Sequence, residues 1–180
     1  IHFHTNTTID TLDYSGTGLN SGSKVVLAAC GEKKRELANE VPAVMHTLQG
    51  FENPRMAMPG VVCISSRAFT DYRSAKEEMK LLNLQLHEYT EELQGIVLMV
   101  VCDNSVFAAE TMSNYLWITY TRSNPSHDIY GIGERTEFKH WGCEGPLVID
   151  ARIKPHHAPA LEKNPVVEKR VDSIFEKGGS

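Results

Sequence analysis

The stretch from Ile96 to Cys102, IVLMVVC, is apolar without interruption. It is too short to cross a bilayer. It lacks the alternation of a half-exposed strand, so it suits a central strand covered on both faces. Val61–Ser65 (VVCIS) and Leu147–Ala151 (LVIDA) read the same way, and so does Lys24–Cys30 (KVVLAAC) behind its lysine. Between two of these runs, Ala75, Met79, Leu82, Leu86, Tyr89 and Leu93 recur at alternating spacings of four and three. That spacing draws one apolar stripe along a helix. Asp71 is placed to cap its start and Gly95 to follow its end. The stripe can pack onto a sheet or serve as a coiled-coil seam. Buried strands alternating with helices predict an α/β fold, with a mostly parallel or mixed central sheet and helices on both faces.

The remaining segments are shorter. Residues 1–23 read as a strand, IHFHTNTTI, and a Gly-rich entry loop. Glu32–Glu40 is charged and predicts a short helix before Pro42, and Pro42–Pro59 reads mostly as loop with one helical turn. Asp103-Asn104-Ser105 caps a further helix, on which Val106, Ala109, Ser113, Leu116, Trp117 and Tyr120 share a face. Asn124-Pro125 ends that helix, and Asp128–Ile132 has strand character. In the C-terminal loop and helix, 155–180, Asn164 caps, Pro165 takes the first helical position and Gly178 follows the end.

A chain of 180 residues supports one domain with a real core. The net charge of −5 and the lack of a basic stripe argue against a nucleic-acid partner. Positions 1–20 show neither the basic nor the apolar part of a signal peptide, and no run predicts a membrane span. Cys30, Cys63, Cys102 and Cys143 form no C-x-x-C pair, and three of them sit in or at the ends of apolar runs. They read as structural thiols in a reducing cytoplasm. The first residue is Ile1, which leads us to expect a C-terminal fragment of a longer chain.

Few residues stand out as chemical candidates. Gly16, Gly18 and Gly22 precede Lys24. Such a loop can cradle an anion through its N–H groups or serve as a plain connection, but it leads into a strand, the wrong context for a phosphate loop. His2 and His4 share one face of a strand, and His156 and His157 are adjacent. With Asp150 they could form a metal site for a hydrolase, although nothing in their spacing requires it. Asp150 lies in an apolar strand, so it must be paired, metal-bound or at the strand's carboxyl end, where α/β sheets carry ligand sites. Asp103 follows a strand in the same way, or merely caps a helix. Ser65-Ser66-Arg67 also follows a strand, but no nucleophile motif surrounds it.

Several stretches resemble the C-terminal region of UbiD-type decarboxylases, the 3-polyprenyl-4-hydroxybenzoate carboxy-lyase family. They are TIDTLDYSG at 8–16 with GSK at 22–24, YLWITYTRSNPSHDI at 115–129, EGPLVIDARIKP at 144–155 and LEKNPVVEKRVD at 161–172. The resemblance is patchy between Glu32 and Glu92. It implies a parent enzyme that reversibly decarboxylates aromatic or α,β-unsaturated acids. That parent would use prenylated FMN, a divalent metal (Mn or Mg) and a monovalent cation. The resemblance places the metal-phosphate site and a catalytic Glu-Arg-Glu network in an upstream flavin-binding domain. This chain would then cover the cofactor, line the substrate pocket, join the protomers of a homo-oligomer and be inactive alone. Arg122 and Asp150 fall on motif positions and would face the cofactor, and Lys24 would approach it. Phe138, His140 and Trp141 would line the substrate pocket or form a surface loop with one buried aromatic. No metal ligand is assigned within the chain. A non-catalytic assembly module working through the 75–93 stripe is the rival reading.

Overall fold

β5 (Leu98–Cys102), the strand expected to be central, is the middle of five in a computed structural model that describes residues 1–8, 19–28, 30–157 and 164–176. Its neighbours β4 (Val61–Ser66) and β9 (Leu147–Asp150) run parallel to it, with Cys63, Val100 and Ile149 side by side. β3 (Phe51–Met58) and β6 (Ile129–Gly131) close the two edges antiparallel. The sheet is therefore mixed, in the order β3-β4-β5-β9-β6.

Side chains alternate across the sheet with the two-residue period of a strand. Val62, Ile64, Met99, Val101 and Val148 meet Met79, Leu82 and Leu86 of α1 (Tyr72–Leu86) on one face. Cys63, Val100, Cys102 and Ile149 meet Ala108, Tyr115 and Ile118 on the other. The α1 stripe thus packs on the sheet, and Ala75, Met79, Leu82, Leu86 and Leu93 are buried. Burying each of these Met and Leu side chains contributes about 1.5–3 kcal/mol. The seam that the assembly reading needs is consumed by the core.

Asp71 caps α1, accepting hydrogen bonds from the N–H groups of Arg73 and Ser74 at 2.9 Å each. The helix stops earlier than the stripe implies, passing into a 3₁₀ turn at His87–Tyr89. Gly95 is consequently no helix cap. A side chain there would lie 2.8 Å from Ala38 Cβ, and the Ala38 N–H donates to the Gly95 carbonyl at 2.9 Å. The Gly60 N–H donates to the Ala38 carbonyl at 2.8 Å. This docking explains why Glu32–Glu40 is not the expected helix: the backbone groups of Ala38 are committed to Gly60 and Gly95.

Three further expectations change. The 42–59 segment holds the 3₁₀ turn Ala43–His46 but also the eight-residue β3, an edge strand that tolerates Pro54 at a register shift. The run from Lys24 is not covered on both faces. Among the described residues, β2 (Gly22–Val26) pairs with β1 (His2–Thr7) alone, in an antiparallel ribbon, and Val26 is exposed. The helix after Asp103 is two helices, α2 (Ser105–Glu110) and α3 (Met112–Thr121), broken at extended Thr111, which caps α3. Ser105, Ala108, Tyr115 and Ile118 turn inward, leaving Val106, Leu116, Trp117 and Tyr120 outward.

Beyond α3 come α4 (Pro125–Asp128) and the hairpin of β7 (Glu134–Glu137) and β8 (His140–Cys143), which turns through Phe138 and Lys139 at positive φ. α5 (Pro165–Glu176) starts at its Asn164 cap, to which Val166 N–H donates at 3.0 Å. Gly16, Gly18 and Gly178 lie outside the described residues. Among those described, no helix is long and apolar enough to cross a membrane.

Candidate functional site

β9 carries Asp150 at its carboxyl end, and the chain continues extended through Arg152 to Lys154. All three side chains are buried, as is that of Asp128 at the end of α4. Removing charges from water is costly unless each is paired and hydrogen-bonded. The structure meets that condition with a chain of alternating charges. Arg152 donates from Nε to Asp150 Oδ1 at 2.9 Å and from Nη2 to Oδ2 at 2.6 Å. Its Nη1 pairs with Glu78 of α1 and also donates to the Arg67 carbonyl at 3.1 Å. Glu78 in turn pairs with Arg67 Nε, just beyond β4. Burial opposes the Arg152 charge, but its hydrogen bonds and attraction to Asp150, then Glu78, outweigh that and hold the guanidinium above its ordinary value.

Lys154 forms a second centre. Its Nζ lies 3.2 Å from Asp128 Oδ2 and donates to the carbonyls of Arg122 and Asp150 at 2.9 Å each and of Arg152 at 3.2 Å. Phe69 lies against both cations, its ring centre 5.7 Å from Arg152 Cζ and 5.3 Å from Lys154 Nζ. Asp128 Oδ2 also accepts from the Asn124 N–H at 2.5 Å, whereas Oδ1 has no hydrogen-bond partner among the described residues. Burial outweighs the pull of Lys154 and pushes the Asp128 carboxyl up to about 6.

The first cluster opens on a groove of about 650 Å³ at the carboxyl ends of β4 and β5, lined by Ser65, Ser66, Arg67, Glu78, Asp103 and Asn104 among others. Carboxyl ends of strands are where open α/β sheets hold ligands. Arg67 is the solvent-facing cation of the network, its side chain 72% exposed. The arrangement can attract and orient an anion. It does not present a free base, because Glu78, Asp103 and Asp150 each face an arginine.

Asp150 is the buried pair that its sequence setting allowed, with both oxygens taken by Arg152. Arg122 Nη1 lies 3.5 Å from Asp103 Oδ2, which also accepts from the Ile153 N–H at 2.8 Å. Lys154 ties the backbones of Arg122 and Asp150 together. Lys24 lies on β2 opposite His4, with its neighbour Ser23 turned inward toward Asn124. Phe138 stands 86% exposed at the β7–β8 turn, and His140 is exposed beside it. Trp141 is half-buried, its ring edge-on to Phe3 of β1 at 6.3 Å.

The His2 and His4 rings stack at 6.1 Å, and those of His156 and His157 meet at 4.6 Å. No three His, Cys, Asp or Glu groups among the described residues form a potential metal site. The thiols of Cys63 and Cys102 are buried and pushed up to about 12 by that burial. Sequence reasoning singled out Asp150 but not Arg152, Lys154, Glu78 or Asp128. The signal for three of these was present in the VIDARIKP and NPSHD motifs. Glu78 gave none, since it reads as one charge among many on an exposed helix face.

No family model matches the chain. Curated relatives do. A protein of Chlamydia pneumoniae named as a subunit of 4-hydroxybenzoate decarboxylase is 25% identical over 162 residues, 90% of this chain and 26% of that protein. An uncharacterized protein of Chlamydia muridarum is 25% identical over 93% of the chain and 27% of its own length. The chain thus spans about a quarter of the length of the curated relatives it matches. Among solved structures, the vanillic acid decarboxylase of Sedimentibacter hydroxybenzoicus in open form aligns at a TM-score of 0.44 with 14% identity, covering 74% of this chain and 31% of that one. An evolved dimeric form of the UbiD-class enzyme HmfF from Pelotomaculum thermopropionicum, in complex with prFMN, aligns at 0.43 with 16% identity, covering 70% and 26%. The likeness to part of a protein named as a decarboxylase subunit thus runs over nine tenths of this chain.

Proposed function

We propose that this chain is the cofactor-covering, substrate-lining domain of a reversible decarboxylase of aromatic or α,β-unsaturated acids. The carrying observation is the likeness to a 4-hydroxybenzoate decarboxylase component along 90% of the chain. The flavin-binding domain, with the catalytic Glu-Arg-Glu network, would belong to the rest of a longer protein.

The residues on hand do not fit the role of holding the cofactor's metal. No metal-binding group of three occurs among those described, and the buried carboxylates are committed to arginine and lysine. No reaction step is therefore assigned through the metal or the flavin within this chain. Its own residues orient and enclose. Lys24 and Arg122 approach the cofactor side, and Asp150 acts at one remove by fixing Arg152. Phe138, His140 and Trp141 line the pocket. An aromatic as exposed as Phe138, on an ordered hairpin turn, suits a surface completed by another domain.

The test is flavin retention. The longer protein, co-produced with the prenylated cofactor, should purify with a flavin absorbance band, and residues 1–180 alone should purify without one and release no carbon dioxide. A longer protein that never retains flavin, or turnover by residues 1–180 alone, overturns the reading. Assembly into a homo-oligomer remains part of the proposal, but not through the α1 stripe, which lies in the core.

A further inference from the structure

The β1–β2 ribbon pairs with no strand of the central sheet. Two contacts among the described residues tie it to the rest of the fold. One is the edge-on packing of Phe3 against Trp141. The other is polar and buried. Ser23 Oγ donates to Asn124 Oδ1 at 2.5 Å and accepts from the Ser126 N–H at 3.0 Å. Asn124 Oδ1 also accepts from Ser126 Oγ at 2.9 Å, and its own N–H donates to Asp128 Oδ2. That carboxylate meets Lys154, whose ammonium gathers the carbonyls of Arg122, Asp150 and Arg152. α4 touches both β2 and β9. A polar relay therefore runs from the ribbon to the carboxyl end of the central sheet.

The relay is costly to bury and adds little apolar contact. Its polar and ionisable side chains would be better replaced by hydrocarbon if stability were their sole task. Their value is geometric. Each link is directional, and together they fix one placement of a ribbon that apolar packing leaves loosely specified.

We infer that Ser23, Asn124, Asp128 and Lys154 form a clasp that positions the β1–β2 ribbon, and with it Lys24, beside the carboxyl end of β9. These are positioning residues, acting through the strand they hold. The consequence for Lys24 rests on the decarboxylase reading; the clasp itself does not.

Amide hydrogen exchange on the 180-residue chain tests it without cofactor or substrate. In Ser23→Ala, amides of residues 22–26 should exchange about fivefold faster or more, the loss of roughly one net hydrogen bond. Those of residues 98–102 should keep their protection. Asn124→Ala should accelerate the same amides, and the double variant should go little further than either single one, because both cut the same link. Unchanged exchange at 22–26 in Ser23→Ala, equal acceleration of both segments, or fully additive single effects would each overturn the clasp. Failure of the longer protein to bind flavin would sink the decarboxylase reading and leave the exchange result standing.

Discussion

Arg152 grips Asp150 through two parallel hydrogen bonds of 2.9 and 2.6 Å, with both side chains wholly inaccessible to water. The two residues are separated in sequence by Ala151 alone, so a short length of extended chain supplies both halves of a fork-to-fork pair. Arg152→Met should strand Asp150 and Glu78 in the interior and destabilise the chain by about 3–5 kcal/mol. Arg152→Lys should recover only part of this, since an ammonium cannot make the two-pronged contact. Urea unfolding followed by far-UV circular dichroism measures both. A Met variant within about 1 kcal/mol of wild type would show that the pair does not hold the fold.

A buried carboxyl and a half-buried imidazole set opposite pH dependences in one window. The Asp128 carboxyl rises to about 6 through burial, so the folded state holds its proton more tightly than the unfolded one. Its contribution to stability is present below about pH 4 and is lost as pH rises toward 6. The His157 imidazole falls to about 4, through burial first and then the neighbouring charges of His156, Lys154 and Arg122. Its Nδ1 accepts the Lys154 N–H at 3.1 Å and must stay unprotonated to do so. Its contribution is therefore gained as pH rises from about 4 to about 6.5. Asp128→Asn should steepen the rise of stability with pH between 4 and 6, and His157→Gln should convert it to a fall. Denaturation midpoints at half-unit pH steps give the slopes, and identical slopes in all three proteins would contradict both assignments.

The interior thiols should be inert. Cys63 and Cys102 have no exposed surface and are held as thiols well above neutral pH, whereas Cys30 is exposed. Iodoacetamide at pH 8 under native conditions should modify Cys30 and spare the other two, with all three labelled in denaturant. Peptide mass mapping reads the pattern, and native labelling of Cys102 would mean that the sheet opens.

The parts of this fold that could be read from the sequence are those where burial on both faces leaves a pure pattern. β4, β5, β9 and the α1 stripe follow directly from their apolar runs. The errors have a common cause, tertiary contacts overriding local preference. Ala38 looks helical among charges but is claimed by Gly60 and Gly95. Thr111 breaks a helix that the apolar spacing carries through, and so turns Trp117 outward. β3 is hidden by Pro54 because an edge strand needs only half of its hydrogen bonds. At the candidate site, Asp150 announced itself as an acid in an apolar strand. Its partners did not, because Glu78 and Asp128 become buried only when α1 and α4 close on β9.

The central claim is that this domain serves a decarboxylase, and carboxyl exchange tests it most directly. The flavin-loaded longer protein is incubated with ¹³C-bicarbonate and a panel of aromatic and α,β-unsaturated acids, including 4-hydroxybenzoate, and followed by mass spectrometry. Label should enter the carboxyl group of at least one acid, and the same acid should lose carbon dioxide when bicarbonate is withheld. A flavin-loaded protein that exchanges and releases carbon dioxide from none of them would contradict the claim.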